Sequence, residues 1–332
     1  MNQFASAFTL FMSLLVEAFP FLLIGVFFSS ALLFFINERR LARLMPKNPF
    51  LGAIVGSLFG FLFPACECGN VPVARRLLLQ GVPSPVAIGF LLAAPTVNPI
   101  VVWATWTAFR DQPEIVVLRV LCSLAIAIIL ACVFSVQKDV RPLLHPNLAK
   151  ALPQPSDQAR EKTLLDGGTF LLGNPMTFEA AAYQATLAAE PVLPTAPLDR
   201  LRLFLDNTFQ ELRDLGGVLV LGSAIAACIQ VFVPREIILN LGQDSVTSII
   251  AMMTLAGVVS ICSTVDSFFA LSFAGTFTSG SLLAFLVYGP MIDLKAVGMM
   301  LSVFKPRVIL YMFLLITQLT FLAALIVNFN WS

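Results

Sequence analysis

Long apolar stretches separated by short polar punctuation set the pattern of this chain. Eight runs stand out, at residues 8–36, 50–79, 86–108, 115–136, 215–233, 246–273, 281–304 and 308–329. About 18 mostly apolar residues suffice for a helix to cross a bilayer. The pattern therefore predicts an all-α polytopic membrane protein of about eight transmembrane helices. The first sixteen residues of the sequence hold no Lys or Arg and the first run is too long for the core of a signal peptide, so it reads as a genuine span. Two runs are interrupted: "PACECGN" (64–70) breaks the second and "CSTVD" (262–266) breaks the sixth.

Residues 137–199 depart from the pattern. They are rich in proline and charge, contain the only histidine, His145, and predict a hydrophilic, partly disordered linker whose removal spares the bundle. With no second ligand beside it, His145 reads as a solvated loop residue. The stretch "DRLRLFLDNTFQELRDLG" (199–216) alternates Leu and Phe with charges and predicts an interfacial amphipathic helix leading into the fifth span. The chain thus divides into a first membrane part of four spans (1–136), the linker (137–199), and an interfacial helix with four further spans (200–332).

The two membrane parts resemble each other. A shift of 195 residues lays Pro95 on Pro290 (290 − 95) and Asn98 on Asp293 (293 − 98), with Phe90 meeting Phe285. Nearly the same shift sets Cys66 and Cys68 over "ICSTVD", and Glu17 and Gly25 over Asp214 and Gly222. Internal repeats of this kind build many transporters, which hold substrate where the repeats meet. The basic loop "NERRLARLMPKNP" (37–49) is expected on the cytoplasmic side. Four single crossings per half make the repeats parallel; a re-entrant hairpin at the cysteine breaks makes them inverted.

Composition agrees with lipid as the solvent. Hydrophobic residues make up 58% and charged residues 12%, against about 25% charged in soluble domains. A net charge of +1 gives no reason to expect nucleic acid as a partner. Six cysteines lie in or beside apolar runs, which is no secreted disulfide framework.

The breaks carry the candidate chemistry. From Phe50 to Pro64 is about 15 residues, or roughly 22 Å of helix, so Cys66, Glu67, Cys68 and Asn70 fall well inside a core of about 30 Å. Pro95 and Asn98 reach similar depth from the other side, as do Cys262, Thr264 and Asp266, and Pro290, Asp293 and Lys295, in the second half. Irregular backbone at that depth must line a cavity or be buried in protein. An acid there is a functional candidate by default. Plainer roles compete: helix–helix hydrogen bonding for the polar groups, headgroup contact for Arg75 and Arg76, core packing for Cys122, Cys132 and Cys228. Asp293 and Lys295 also suggest a buried ion pair, although residues two apart do not share a helix face. Cys66, Cys68 and Cys262 form a candidate thiol set for a soft metal or metalloid, or simply allow close backbone approach.

"CECGNVPVARRLLLQGVPSPVAIGFLLAAPTVNPIV", with "CSTVDSFFALSF" and "GSLLAFLVYGPMIDLKAVGMML", resembles the signature of the YraQ-like, UPF0718-type (DUF318) predicted permeases, a family that includes the ArsP organoarsenical efflux permeases. The resemblance covers both halves but not the linker. It implies a multi-pass cell-membrane permease, with Cys66, Cys68 and Cys262 as positions for arsenical chemistry, and allows a second small membrane subunit or a homo-oligomer. The reading is therefore a secondary transporter exporting a small solute through a midplane site, with lipid and solute as partners and no cofactor. No "GxxxxGK[ST]" occurs, so ATP hydrolysis is not built in. A channel, a subunit silent without its complex, or a membrane thiol redox protein are the rivals; the last lacks C-x-x-C and any histidine within the apolar runs.

Overall fold

A computed structural model describes residues 3–35, 46, 48–63, 66–136, 142–145, 148, 197–232 and 245–331. Among them every named element is a helix: α1 (Gln3–Phe35), α2 (Pro49–Leu62), α3 (Glu67–Leu79), α4 (Ser84–Val97), α5 (Pro99–Ala108), α6 (Pro113–Ser135), α7 (Pro197–Phe232), α8 (Ser245–Val259), α9 (Asp266–Leu271), α10 (Ser279–Met291), α11 (Leu294–Leu301) and α12 (Pro306–Trp331). Six stretches are long and apolar enough to cross a membrane: α1, α4 with α5, α6, α7, α10 with α11, and α12. At 14 and 15 residues, α2 and α8 reach only about 22 Å, less than the hydrocarbon core.

Proline and side-chain caps place several of the helix ends. Phe63 is extended (φ −98°, ψ 104°), as a residue before proline must be, and it ends α2. Asn98, also before a proline, ends α4 and caps α5 by accepting a hydrogen bond from Val101 N at 2.9 Å. Asp293 caps α11 in the same way, accepting from Ala296 N at 2.5 Å.

Packing pairs fix helix directions. A Cβ on Gly52 would meet Val86, one on Gly60 would meet Ala94, and Gly89 lies against Ala53 and Ser57, so α2 and α4 run parallel. Ser248 bonds Thr278 near the start of the pair, and Gly289 lies against Ala256 near its end, so α8 and α10 are parallel too. The chain reverses between α2 and α4 and again between α8 and α10; the interrupted runs are not single crossings. Ser29 bonds Glu211, Ser30 accepts from Asn207, and Leu14 packs with Ala226, which makes α1 and α7 antiparallel.

The α4–α5 and α10–α11 stretches occupy the centre, with 78% of their most apolar windows buried against 28–44% for the other four. Two glycines allow backbone contact around them. A Cβ on Gly25 of α1 would overlap the backbone of Gly69 in α3, and one on Gly56 would overlap Val86. Gly56→Val is expected to destabilise the protein by about 2 kcal/mol, within the range for overpacked cores, as read from its thermal midpoint in detergent.

Two sequence expectations change here. Residues 199–216 form no separate interfacial helix: they are the first half of the 36-residue α7. There Asn207, Thr208 and Glu211 bond Ser29 and Ser30 of α1, while Arg202, Asp206, Arg213 and Asp214 stay exposed. Residues 142–145 and 148 of the linker are docked rather than solvated. His145 N donates to Val303 O, Lys305 N donates to Leu143 O, and Leu143, Leu144 and Leu148 are buried. Linker residues 137–141, 146–147 and 149–196 and most of the 37–49 loop lie outside the described residues.

Candidate translocation site

Cys66 sits at the N-cap of α3, which puts Glu67 in the first helical turn. Opposite lies the break after α8, where Ser260 adopts a left-handed φ of +47°. That conformation is costly for a residue with a Cβ. It is held where the Ser260 hydroxyl accepts a hydrogen bond from Leu294 N at 3.2 Å, joining the break to the start of α11. Cys262 follows, and its Sγ, the Cys66 Sγ and a Glu67 carboxylate oxygen all lie within 4.8 Å of one another. Lys295 Nζ is 4.0 Å from Glu67 Oε1, with both side chains buried. Its other ionisable neighbours are Asp293, Cys68 and Glu17 of α1.

The charges do not balance: Glu67 and Asp293 face the single cation Lys295 among these buried groups. Nor are the hydrogen bonds complete. Glu67 Oε2, both amide atoms of Asn70, Asp293 Oδ2 and Ser263 Oγ are buried without a protein partner. Buried polar atoms are nearly always paired with protein or water, and these unpaired ones gather on the helix starts and breaks that hold the thiols. Two sulfurs and a carboxylate suit a soft cation or metalloid; the acids suit a proton or a donor group.

Asp266 is not part of this cluster. It receives Arg119 in a two-point pair, Nη2 to Oδ2 at 2.7 Å and Nη1 to Oδ1 at 3.2 Å. Arg119 Nη1 also reaches Ser267 Oγ at 2.9 Å and Thr105 Oγ1 at 2.8 Å. Arg119, from α6, is 1% exposed. Since Asp266 N bonds Cys262 O at 3.0 Å, this network anchors the turn that carries the second thiol. Sequence reasoning missed Arg119, although it is the only charge after Glu114 in the 23 residues of α6. That solitary charge was the available signal.

The predicted candidates differ in backbone setting and in whether they join this cluster. Glu67, Cys68 and Asn70 are helical rather than in the break, because α3 begins directly after Cys66. Asn98 is a cap and its Nδ2 donates back to Ala94 O, so its polarity is spent locally. Pro95 and Pro290 are buried in the last turns of α4 and α10, and Thr264 is half-buried in the turn before α9. Lys295 has its direct ion-pair contact with Glu67 from α3, while Asp293 caps its own helix. Arg76 is buried at 7% exposure, and both arginines lie near Glu211 of α7, so the pair turns inward rather than to headgroups. Cys122 and Cys132 are half-buried and Cys228 is exposed, away from the cluster.

A family model described as predicted permease matches residues 3–329. The chain belongs to this ArsP-type predicted permease family. It is similar to the UPF0718 protein YcgR of Bacillus subtilis, 39% identical over 96% of this chain and 94% of that protein. It is also 33% identical to a protein of Streptococcus mutans named a putative two-component membrane permease complex subunit, over 91% of this chain and 88% of that one. No solved structure matches. The chain is a multi-pass permease of the cell membrane.

Proposed function

We propose that this permease is a secondary transporter exporting a small solute, such as an organoarsenical or a metal or metalloid species, through the Cys66–Glu67–Cys262–Lys295–Asp293 cluster. The observation that carries this reading is the gathering of two thiols, two acids and one lysine, with unpartnered polar atoms, where irregular or newly started helices from both halves meet. Soft-ligand exchange at Cys66 and Cys262 would hold a metalloid, and Glu67 would take a proton as solute leaves.

The two halves serve as inverted repeats in this reading. Six helical pieces follow in the same order in each, of 33, 14, 13, 14, 10 and 23 residues, then 36, 15, 6, 13, 8 and 26. The contacts between halves repeat as well, α3 on α11 and α5 on α9. The leading helices, α1 and α7, are antiparallel, as inversion requires. The name of the Streptococcus mutans relative favours a second reading, in which this chain needs a partner subunit before it transports.

Flux in proteoliposomes over a panel of arsenicals, metal ions and organic anions tests both. Saturable, gradient-coupled flux by the chain alone is expected. Flux only after adding a co-purified membrane subunit would favour the complex, and non-saturable flux would favour a channel.

A further inference from the structure

Between α8, α10, α11 and α12 lies a groove of about 610 Å³. Its walls include Met253, Phe313 and Phe321, and Asp293 lines it too. Phe313 and Ile250 on its rim are 37% and 47% exposed on helices of the apolar bundle, so the groove opens toward lipid. Thr254, Tyr288, Thr317 and Gln318 also line it, and the Thr317 hydroxyl donates to the Tyr288 hydroxyl at 3.3 Å. Gln318 is residue 13 of the 26 in α12, hence near mid-depth, where an outward carboxamide is costly unless a polar group meets it. In the parallel pair α2–α4, by contrast, Gly56 brings the two backbones into contact. In the α8–α10 pair a Cβ at Gly257 would stop 3.6 Å from Tyr288, ordinary contact that leaves the space open.

The volume decides the occupant. Small-molecule sites run from about 300 to 1,000 Å³, whereas a spanning helix about 10 Å across and 30 Å long needs several times the room seen here. Asp293, 2% exposed, has Oδ1 engaged as the α11 cap and the Ser260 hydroxyl and Lys295 beside its carboxylate, while Oδ2 makes no short hydrogen bond. It is also the member shared between the groove and the Lys295–Glu67 cluster.

We propose that this groove is a lateral entry and binding site for a membrane-dissolved amphiphile, whose apolar body lies against Phe313 and Phe321 and whose hydrogen-bond-donating head meets Asp293. The onward route rests on the cluster's reading as a translocation site; occupancy of the groove does not, and is measured without flux. The probe is a dansyl-labelled alkylamine titrated against the full chain in nanodiscs. Saturable fluorescence enhancement is expected, with Kd weakened at least about tenfold, some 1.4 kcal/mol, by Gly257→Trp, which fills the groove. Asp293→Asn should weaken it similarly while keeping the fold, since asparagine still caps a helix. Leu121→Trp, on the exposed face of α6, should leave it unchanged. Glu67→Gln should bind normally yet lose flux; if its flux persists while groove binding holds, the translocation reading fails and the groove stands. No saturable binding to the wild-type chain, or binding indifferent to Gly257→Trp, overturns the proposal. So does a second protein chain held in the nanodisc complex by this face and released by Gly257→Trp.

Discussion

Replacing Arg119 with methionine is expected to destabilise the permease by about 3–5 kcal/mol, the cost of leaving a buried charge without its partner. Asp266 would lose both guanidinium contacts, while Ser267 and Thr105 would lose the donor that draws them together. Asp266→Leu alone should be as harmful, because Arg119 would then be the stranded charge. The double variant should recover most of the loss, since buried ion pairs are often replaceable by apolar residues of similar volume. Thermal unfolding of the four chains in one detergent measures the cycle. Strictly additive losses would show that the pair is not coupled. This result also separates structure from transport: Asp266→Asn should reduce the folded fraction more than the flux per folded molecule.

Much of that geometry was legible along the chain, and the illegible part has a physical cause. The 195-residue offset set Asn98 opposite Asp293, and the structure gives both the same job as helix caps before short helices. That job is local, set by a side chain three residues from its donor, so sequence carries it. The direction of a helix is not local. Periodicity and hydropathy are the same read either way, so the sequence leaves the second and sixth runs open between single crossings and re-entrant hairpins. Only the packing shows that the chain reverses between α2 and α4 and between α8 and α10. Arg119 and Asp266 are 147 residues apart, and no spacing rule joins them. Arg75 and Arg76 read as headgroup contacts from sequence because Glu211, the acid whose charge they feel, stands across the linker in a stretch patterned like a surface helix.

Flux should depend on Glu67 under any substrate and on the thiols only under one class. Glu67→Gln preserves shape and removes the charge that faces Lys295 at 4.0 Å. A loss of about a hundredfold in flux per folded molecule is expected, the scale seen when a proton-relaying group is removed. Cys66→Ser and Cys262→Ser should be nearly as severe for a soft metalloid, because oxygen is a poor ligand for a soft centre. For an organic anion the same two changes should be mild. Flux from Glu67→Gln equal to wild type would remove the carboxylate from the mechanism. Equal flux of a metalloid by both serine variants would remove the thiols.

The central claim is that this buried cluster lies on a solute path, and thiol accessibility tests it most directly. Cys68, Cys122, Cys132 and Cys228 are replaced by alanine, and a membrane-impermeant methanethiosulfonate is applied to vesicles of either orientation. The account predicts modification of Cys66 from each side of the membrane and slower modification when a transported solute is present. Thiols that stay unmodified from both sides, in a chain whose Cys66 and Cys262 react fully once unfolded, would contradict it.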